Sequence, residues 1–160
     1  MLRATAPLVA ISAMLSLACA PANARDCGTW NASMQELEEG RAMVASVCSD
    51  DDGGLSYLEA RCFPPGLNIR FVPRDDGDYN NFKGDLIFET EQYHRLVFVT
   101  YEGLDGAFAA YLPFGHPAIE MMKGGKSIIV SAEGGTVPAR SFKLGGTRQA
   151  LEKLEKSCQR

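Results

Sequence analysis

Two prolines and a glycine, Pro64-Pro65-Gly66, stand between two apolar runs and constrain this chain more than any other feature. Proline breaks a helix and cannot donate to a β-ladder, so the run Leu55 to Phe63 (LSYLEARCF) has to end there. The next run, Leu67 to Val72 (LNIRFV), alternates: Leu67, Ile69 and Phe71 fall on one face, Asn68 and Arg70 on the other. Together they are predicted to form a hairpin.

The rest of the middle follows the same pattern of short runs and turn signals. Arg41 to Cys48 reads as a strand, with Gly40 closing a turn before it. Arg74 to Asn81 (RDDGDYNN) is a polar loop, followed by strands around Leu86-Ile87-Phe88, Arg95 to Tyr101 and Ala107 to Leu112. A short helix is predicted over Pro117 to Lys123, with proline in its first turn and Gly124-Gly125 ending it. Lys126 to Ser131 is β-branched and apolar, and Ala139 to Leu144 makes a last strand. The chain closes on a helix from Thr147, expected to be its N-cap. Leu151, Leu154 and Cys158 share one stripe with Ala150, while Arg148, Glu152 and Lys156 face solvent. The expected class is mainly β (α+β): an antiparallel sheet or sandwich of about seven to nine short strands, with a short internal helix and a C-terminal helix packed on the sheet. Tyr57, Phe63, Phe71, Phe88 and Phe98 lie in strands and are expected in the core.

Residues 1–24 read as a signal peptide. Arg3 precedes the apolar run Ala6 to Ala18, which is shorter than the roughly 20 residues of a membrane anchor. Ala22-Asn23-Ala24 offers a cleavage site; Cys19 as a lipidated N-terminus is the competing reading. Residues 25–160 then form one exported domain, periplasmic or secreted. The chain carries 20 acidic and 16 basic side chains without a Lys/Arg run, which disfavours nucleic acid as a partner. Of five cysteines, Cys19 lies in the leader, leaving Cys27, Cys48, Cys62 and Cys158. An even number behind an export signal argues for two disulfides, and the wide spacing argues against a thiolate metal site.

Catalytic signatures are sparse. Asp50, Asp52, Ser56 and Glu59 occupy calcium-ligand places when Cys48 to Glu59 (CSDDDGGLSYLE) is set on an EF-hand loop, and Gly53 fits its glycine. Cys48 stands where that loop starts with Asp, and Pro64-Pro65 would stop the helix that should follow, so an acidic turn is the competing reading and no metal is assigned. The two histidines, His94 and His116, lie at a strand start and a helix start, and no G-x-S-x-G elbow, Walker sequence or H-E-x-x-H accompanies them. Asn31-Ala32-Ser33 is a formal glycosylation sequon. No cofactor is implied.

Trp30 opening the fold, LEARCFPPGLNIRF with Cys62 in a strand, the apolar SIIVS strand, and FKLGG leading into TRQALEKLEKSC are the features of a resemblance. The chain resembles small exported proteobacterial proteins, namely the invasion-associated locus B family and a family of type VI secretion accessory proteins. It lacks the internal paired-cysteine segment of the invasion branch. The resemblance implies a compact β-rich domain without a known active site. It also implies the pairing Cys62–Cys158, because the strand cysteine and the terminal cysteine are the recurrent pair; Cys27–Cys48 then follows.

The expected function is that of a non-catalytic envelope or virulence-associated protein binding another protein or a cell-wall component. A small hydrolase is the alternative, and it requires His94 or His116 within reach of a serine or carboxylate. Another is an inhibitor of a host enzyme such as lysozyme, acting through the loop Asp75 to Asn81.

Overall fold

A computed structural model describes residues 28–38 and 40–159. The leader, Cys19 and Cys27 lie outside the described residues, and so does the expected Cys27–Cys48 pairing. Among the described residues nine strands form one antiparallel sheet: β1 (Asn31–Leu37), β2 (Gly40–Cys48), β3 (Tyr57–Phe63), β4 (Gly66–Val72), β5 (Lys83–Glu89), β6 (His94–Glu102), β7 (Ala107–Pro113), β8 (Ser127–Ala132) and β9 (Arg140–Lys143). Their spatial order is β1-β2-β3-β4-β7-β6-β5-β8-β9. The described residues also form two α-helices, α1 (Pro117–Gly124) and α2 (Thr147–Cys158).

Pro64-Pro65 joins β3 to β4 through a cis peptide bond, and the register Leu58↔Phe71, Ala60↔Ile69 and Cys62↔Leu67 puts their apolar residues together on the inner face. Gly66 opens β4 beside β7, where a Cβ would lie 2.1 Å from the Leu112 carbonyl oxygen, so no larger residue fits. Inside, Phe71 meets Phe108 and the edge of Phe142, with ring centroids 6.0 and 5.9 Å apart. Leu86, Phe88, Ile128 and Val130 extend this core under β5 and β8.

The sheet curls until β9 returns to the end of β2, where Ser49 and Phe142 form a single β-bridge. α2 lies across β1, β2 and β3, burying Ala150, Leu151 and Leu154 as its stripe predicts. Full burial of each leucine contributes about 1.5–3 kcal/mol. The Cys62–Cys158 disulfide ties its last turn to β3, Lys153 donates to the Ala32 carbonyl, and Lys123 of α1 reaches Glu155 at 2.8 Å.

β1 has no counterpart among the strands expected from the sequence; it runs through Glu36, which stands opposite Arg41 of β2 and is ion-paired with it. Ala32 is the one buried residue of this edge strand, which leaves little apolar signal. Thr147 is not the N-cap of α2. Gly146 takes that place with φ 79°, where a Cβ would meet the Trp30 carbonyl oxygen at 2.8 Å, and the Thr147 hydroxyl donates back to the Leu144 carbonyl. Two glycines before Thr147 hid the distinction, since either residue suits an N-cap.

Candidate functional site

The outward face of β3, β4, β7 and β6 carries the most unusual chemistry among the described residues. Strand alternation places Glu59, Arg61 and Phe63 of β3 there, with Asn68 and Arg70 of β4, Tyr111 of β7, and Leu96, Phe98, Thr100 and Glu102 of β6. Arg70 stands in the middle with its side chain only 3 % exposed. Its guanidinium donates to Glu102 and, at 2.6 Å, to Asp105, and its Nε lies 3.2 Å from Glu59. Glu59 is 1 % exposed and sits 2.7 Å from Arg61 as well. Neither Glu59 oxygen meets a donor at hydrogen-bond angles, so these contacts are pairings of charge. Burial pulls the Arg70 pKa down, and the Glu102 hydrogen bond with the surrounding carboxylates overcomes this and holds it above the ordinary arginine value. The network joins β3, β4, β6 and the turn after β6, fixing the sheet beneath its outer surface.

Beside this charged patch the surface becomes apolar. Phe63, Leu96, Phe98 and Tyr111 are 51, 62, 63 and 52 % exposed, and the Phe63 and Tyr111 rings lie 4.4 Å apart. Phe63 and Phe98 therefore correct the expectation that the strand aromatics are core; Phe71 and Phe88 are buried as expected. Each misplaced ring sits one position out of phase with the inward residues of its strand, which a look at aromatic content alone does not register. Between β6 and β7 the ladder runs only from Thr100↔Ala109 to Glu102↔Ala107. Past that point a groove of about 380 Å³ opens, lined by Leu96, Phe98, Thr100, Tyr111, Leu112 and His116. Leu112 belongs to the inner face, so the groove cuts between the strands. α1 follows directly, its N-terminus capped by His116 Nδ1, which accepts from the Ala118 amide at 3.2 Å.

The sequence-predicted residues have other partners. Asp52 accepts from the Leu55 and Ser56 amides and from Arg140 Nε, and Asp50 pairs with Lys143 at 3.1 Å. Ser56 Oγ accepts from the Arg74 amide and Arg140, while Glu59 lies in β3 within the Arg70 network. The four residues of the calcium pattern are thus not gathered around one point, and no group of three His, Cys, Asp or Glu side chains among the described residues is placed to hold a metal ion. His94 is exposed at the start of β6, and neither histidine hydrogen-bonds a serine or carboxylate among the described residues. The loop Asp75 to Asn81 is anchored through Tyr79 while Asp76 to Asp78, Asn80 and Asn81 stay exposed: Tyr79 is buried with its ring 4.9 Å from Phe108, and its hydroxyl donates to Asp75 at 2.9 Å. Burial and that carboxylate push the Tyr79 phenol up to about 12.

No protein-family profile and no curated protein matches the chain. Among solved structures, it is similar to invasion associated protein B from Bartonella henselae, with a TM-score of 0.56 and 12 % identity over 83 % of this chain and 95 % of that one. This likeness shows a shared fold. Among the described residues, no helix is long and apolar enough to cross a membrane.

Proposed function

We propose that this is a non-catalytic, exported binding protein of the envelope or virulence-associated kind, whose contact surface is the apolar outer face of β6, β7 and the end of β3. The partner is another protein or a cell-wall component. The observation carrying this reading is the grouping of Phe63, Leu96, Phe98 and Tyr111, half exposed or more, on one face. Clustered exposed apolar side chains of this kind favour interaction sites over bare surface. The fold it shares with a protein named for invasion supports the virulence-associated part, and the disulfide supports export to an oxidising compartment.

The test is affinity capture from the native envelope with the wild-type protein and a Leu96→Ser/Phe98→Ser variant side by side. A partner retained by the wild type and lost by the folded variant supports the reading. Equal retention by both excludes this face, and turnover of a substrate by partner-free protein, abolished by replacing His94 or His116, overturns the non-catalytic assignment.

A further inference from the structure

The run Ser49-Asp50-Asp51-Asp52 has a mechanical role at the point where the curled sheet closes. β9 meets β2 through one bridge, Ser49↔Phe142, with no continuing ladder. Around it, side chains take over from backbone pairing. The Asp50 amide donates to the Ser141 carbonyl at 2.9 Å, but the Ser141 amide donates to the Asp51 carboxylate, at 3.0 Å. Arg140 Nε donates to Asp52 at 3.2 Å and to Ser56 Oγ at 3.3 Å, and Lys143 pairs with Asp50. Three consecutive aspartates of the β2–β3 turn therefore hold three positions of β9, Arg140, Ser141 and Lys143.

We propose that this seam is an acid-released latch: neutralising the Asp51 and Asp52 carboxylates frees β9 from β2 locally, while the remainder of the sheet stays folded. Local release is possible because β9 is a four-residue strand at the end of the sheet, its backbone ladder running to β8 on its other side. It is also bounded, because α2, which follows β9, stays fastened by Leu151, Leu154, Lys153 and the Cys62–Cys158 bridge. Charged and titratable groups facing the latch are Arg140 and Lys143 from β9, and Arg74, Asp75 and Tyr79 from the segment after β4. The cations lie on the strand to be released, so loss of the carboxylate charge leaves them unbalanced.

Asp52 is drawn up by partial burial, but hydrogen bonds from Ser56, Ser49 and Leu55 outweigh this and set its pKa below the usual 3.8. A depressed carboxylate pKa adds stability above the unfolded value and loses it as pH falls through the folded one. The part of the latch held by Asp52 thus persists from neutral pH to mild acid and is lost only as pH falls below the ordinary aspartate value.

Residue-resolved amide hydrogen exchange on the intact protein tests this. Protection factors of Ser141 and Asp50 are expected to fall selectively in Asp51→Ala at neutral pH, and in the wild type below about pH 3.8. Ile69 in β4 should keep its protection under both conditions. Asp52→Asn, which keeps the shape of the turn, should act in the same direction at neutral pH. Lys143→Met removes only an exposed pair and should leave Ser141 within about threefold of wild type. The latch is overturned if Ser141 and Ile69 lose protection together, since that is global unfolding. Unchanged Ser141 protection in both aspartate variants overturns it as well.

Discussion

Two seams interrupt the same sheet, and they are finished in opposite ways. At β2–β9 the ladder is a single bridge, and carboxylates supply the missing bonds to backbone and arginine. At β6–β7 the ladder stops after three residue pairs, and the gap is flanked by exposed Leu96, Phe98 and Tyr111. A seam filled with charged hydrogen-bond partners satisfies its own backbone and gains nothing by covering. A seam edged with apolar side chains leaves area that burial by another molecule would stabilise, at about 25 cal/mol per Å². The closed seam serves the fold; the open one is where binding is proposed.

Replacing one phenylalanine at each seam tests that contrast most sharply. Phe142 is fully buried at the closed seam, packed edge-on to Phe71. Phe142→Ala is expected to destabilise the protein by about 3–5 kcal/mol, read from urea unfolding. A loss under about 1 kcal/mol would mean that the seam does not contribute to the cooperative core.

Arg70→Ala should cost a similar amount, about 3–5 kcal/mol, because it leaves Glu59 buried beside only Arg61 while Glu102 and Asp105 lose their tie to β4. Arg70→Ala/Glu59→Ala should recover part of this, and a double variant no more stable than Arg70→Ala would show that the buried carboxylate is not the source of the cost. Next in size is the disulfide: Cys158→Ala is expected to lower stability by about 2–4 kcal/mol, with the α2 contacts to β1–β3 otherwise retained. If near-UV circular dichroism showed α2 detached in that variant, the buried leucines would not be holding the helix by themselves.

The sequence made parts of this arrangement readable in advance. Pro64-Pro65-Gly66 marks the β3–β4 turn because few other backbones accommodate two prolines, and the Leu151-Leu154-Cys158 stripe marks both the packed face of α2 and the side from which β3 reaches its sulfur. The Cys62–Cys158 pairing came from the resemblance. What the sequence concealed depends on distant strands. Arg70 alternates with Ile69 and Phe71 like any solvent-facing residue, yet its carboxylates arrive from β3, β6 and the turn beyond. The three aspartates resemble a calcium loop because acid-rich turns look alike locally; their partners in β9 lie some ninety residues on, at separations of 88 and 90. Phe63 and Phe98 mislead because apolarity by itself suggests burial, although an exposed aromatic face is what a binding surface needs.

The smallest expected effect on stability is the most informative about function. Phe98 is 63 % exposed beside the open seam, so Phe98→Ser should change unfolding free energy by no more than about 0.5 kcal/mol. The same substitution at a contact surface removes a buried aromatic from the complex, and a central anchor of that kind is worth about 2 kcal/mol or more in binding, roughly thirtyfold in affinity. Stability and partner capture should therefore separate at Phe98 and fall together at Phe142. Titration of the captured partner against both folded proteins measures this directly. If Phe98→Ser destabilised the protein as Phe142→Ala does, the β6–β7 seam would belong to the core after all, and its openness would carry no functional meaning.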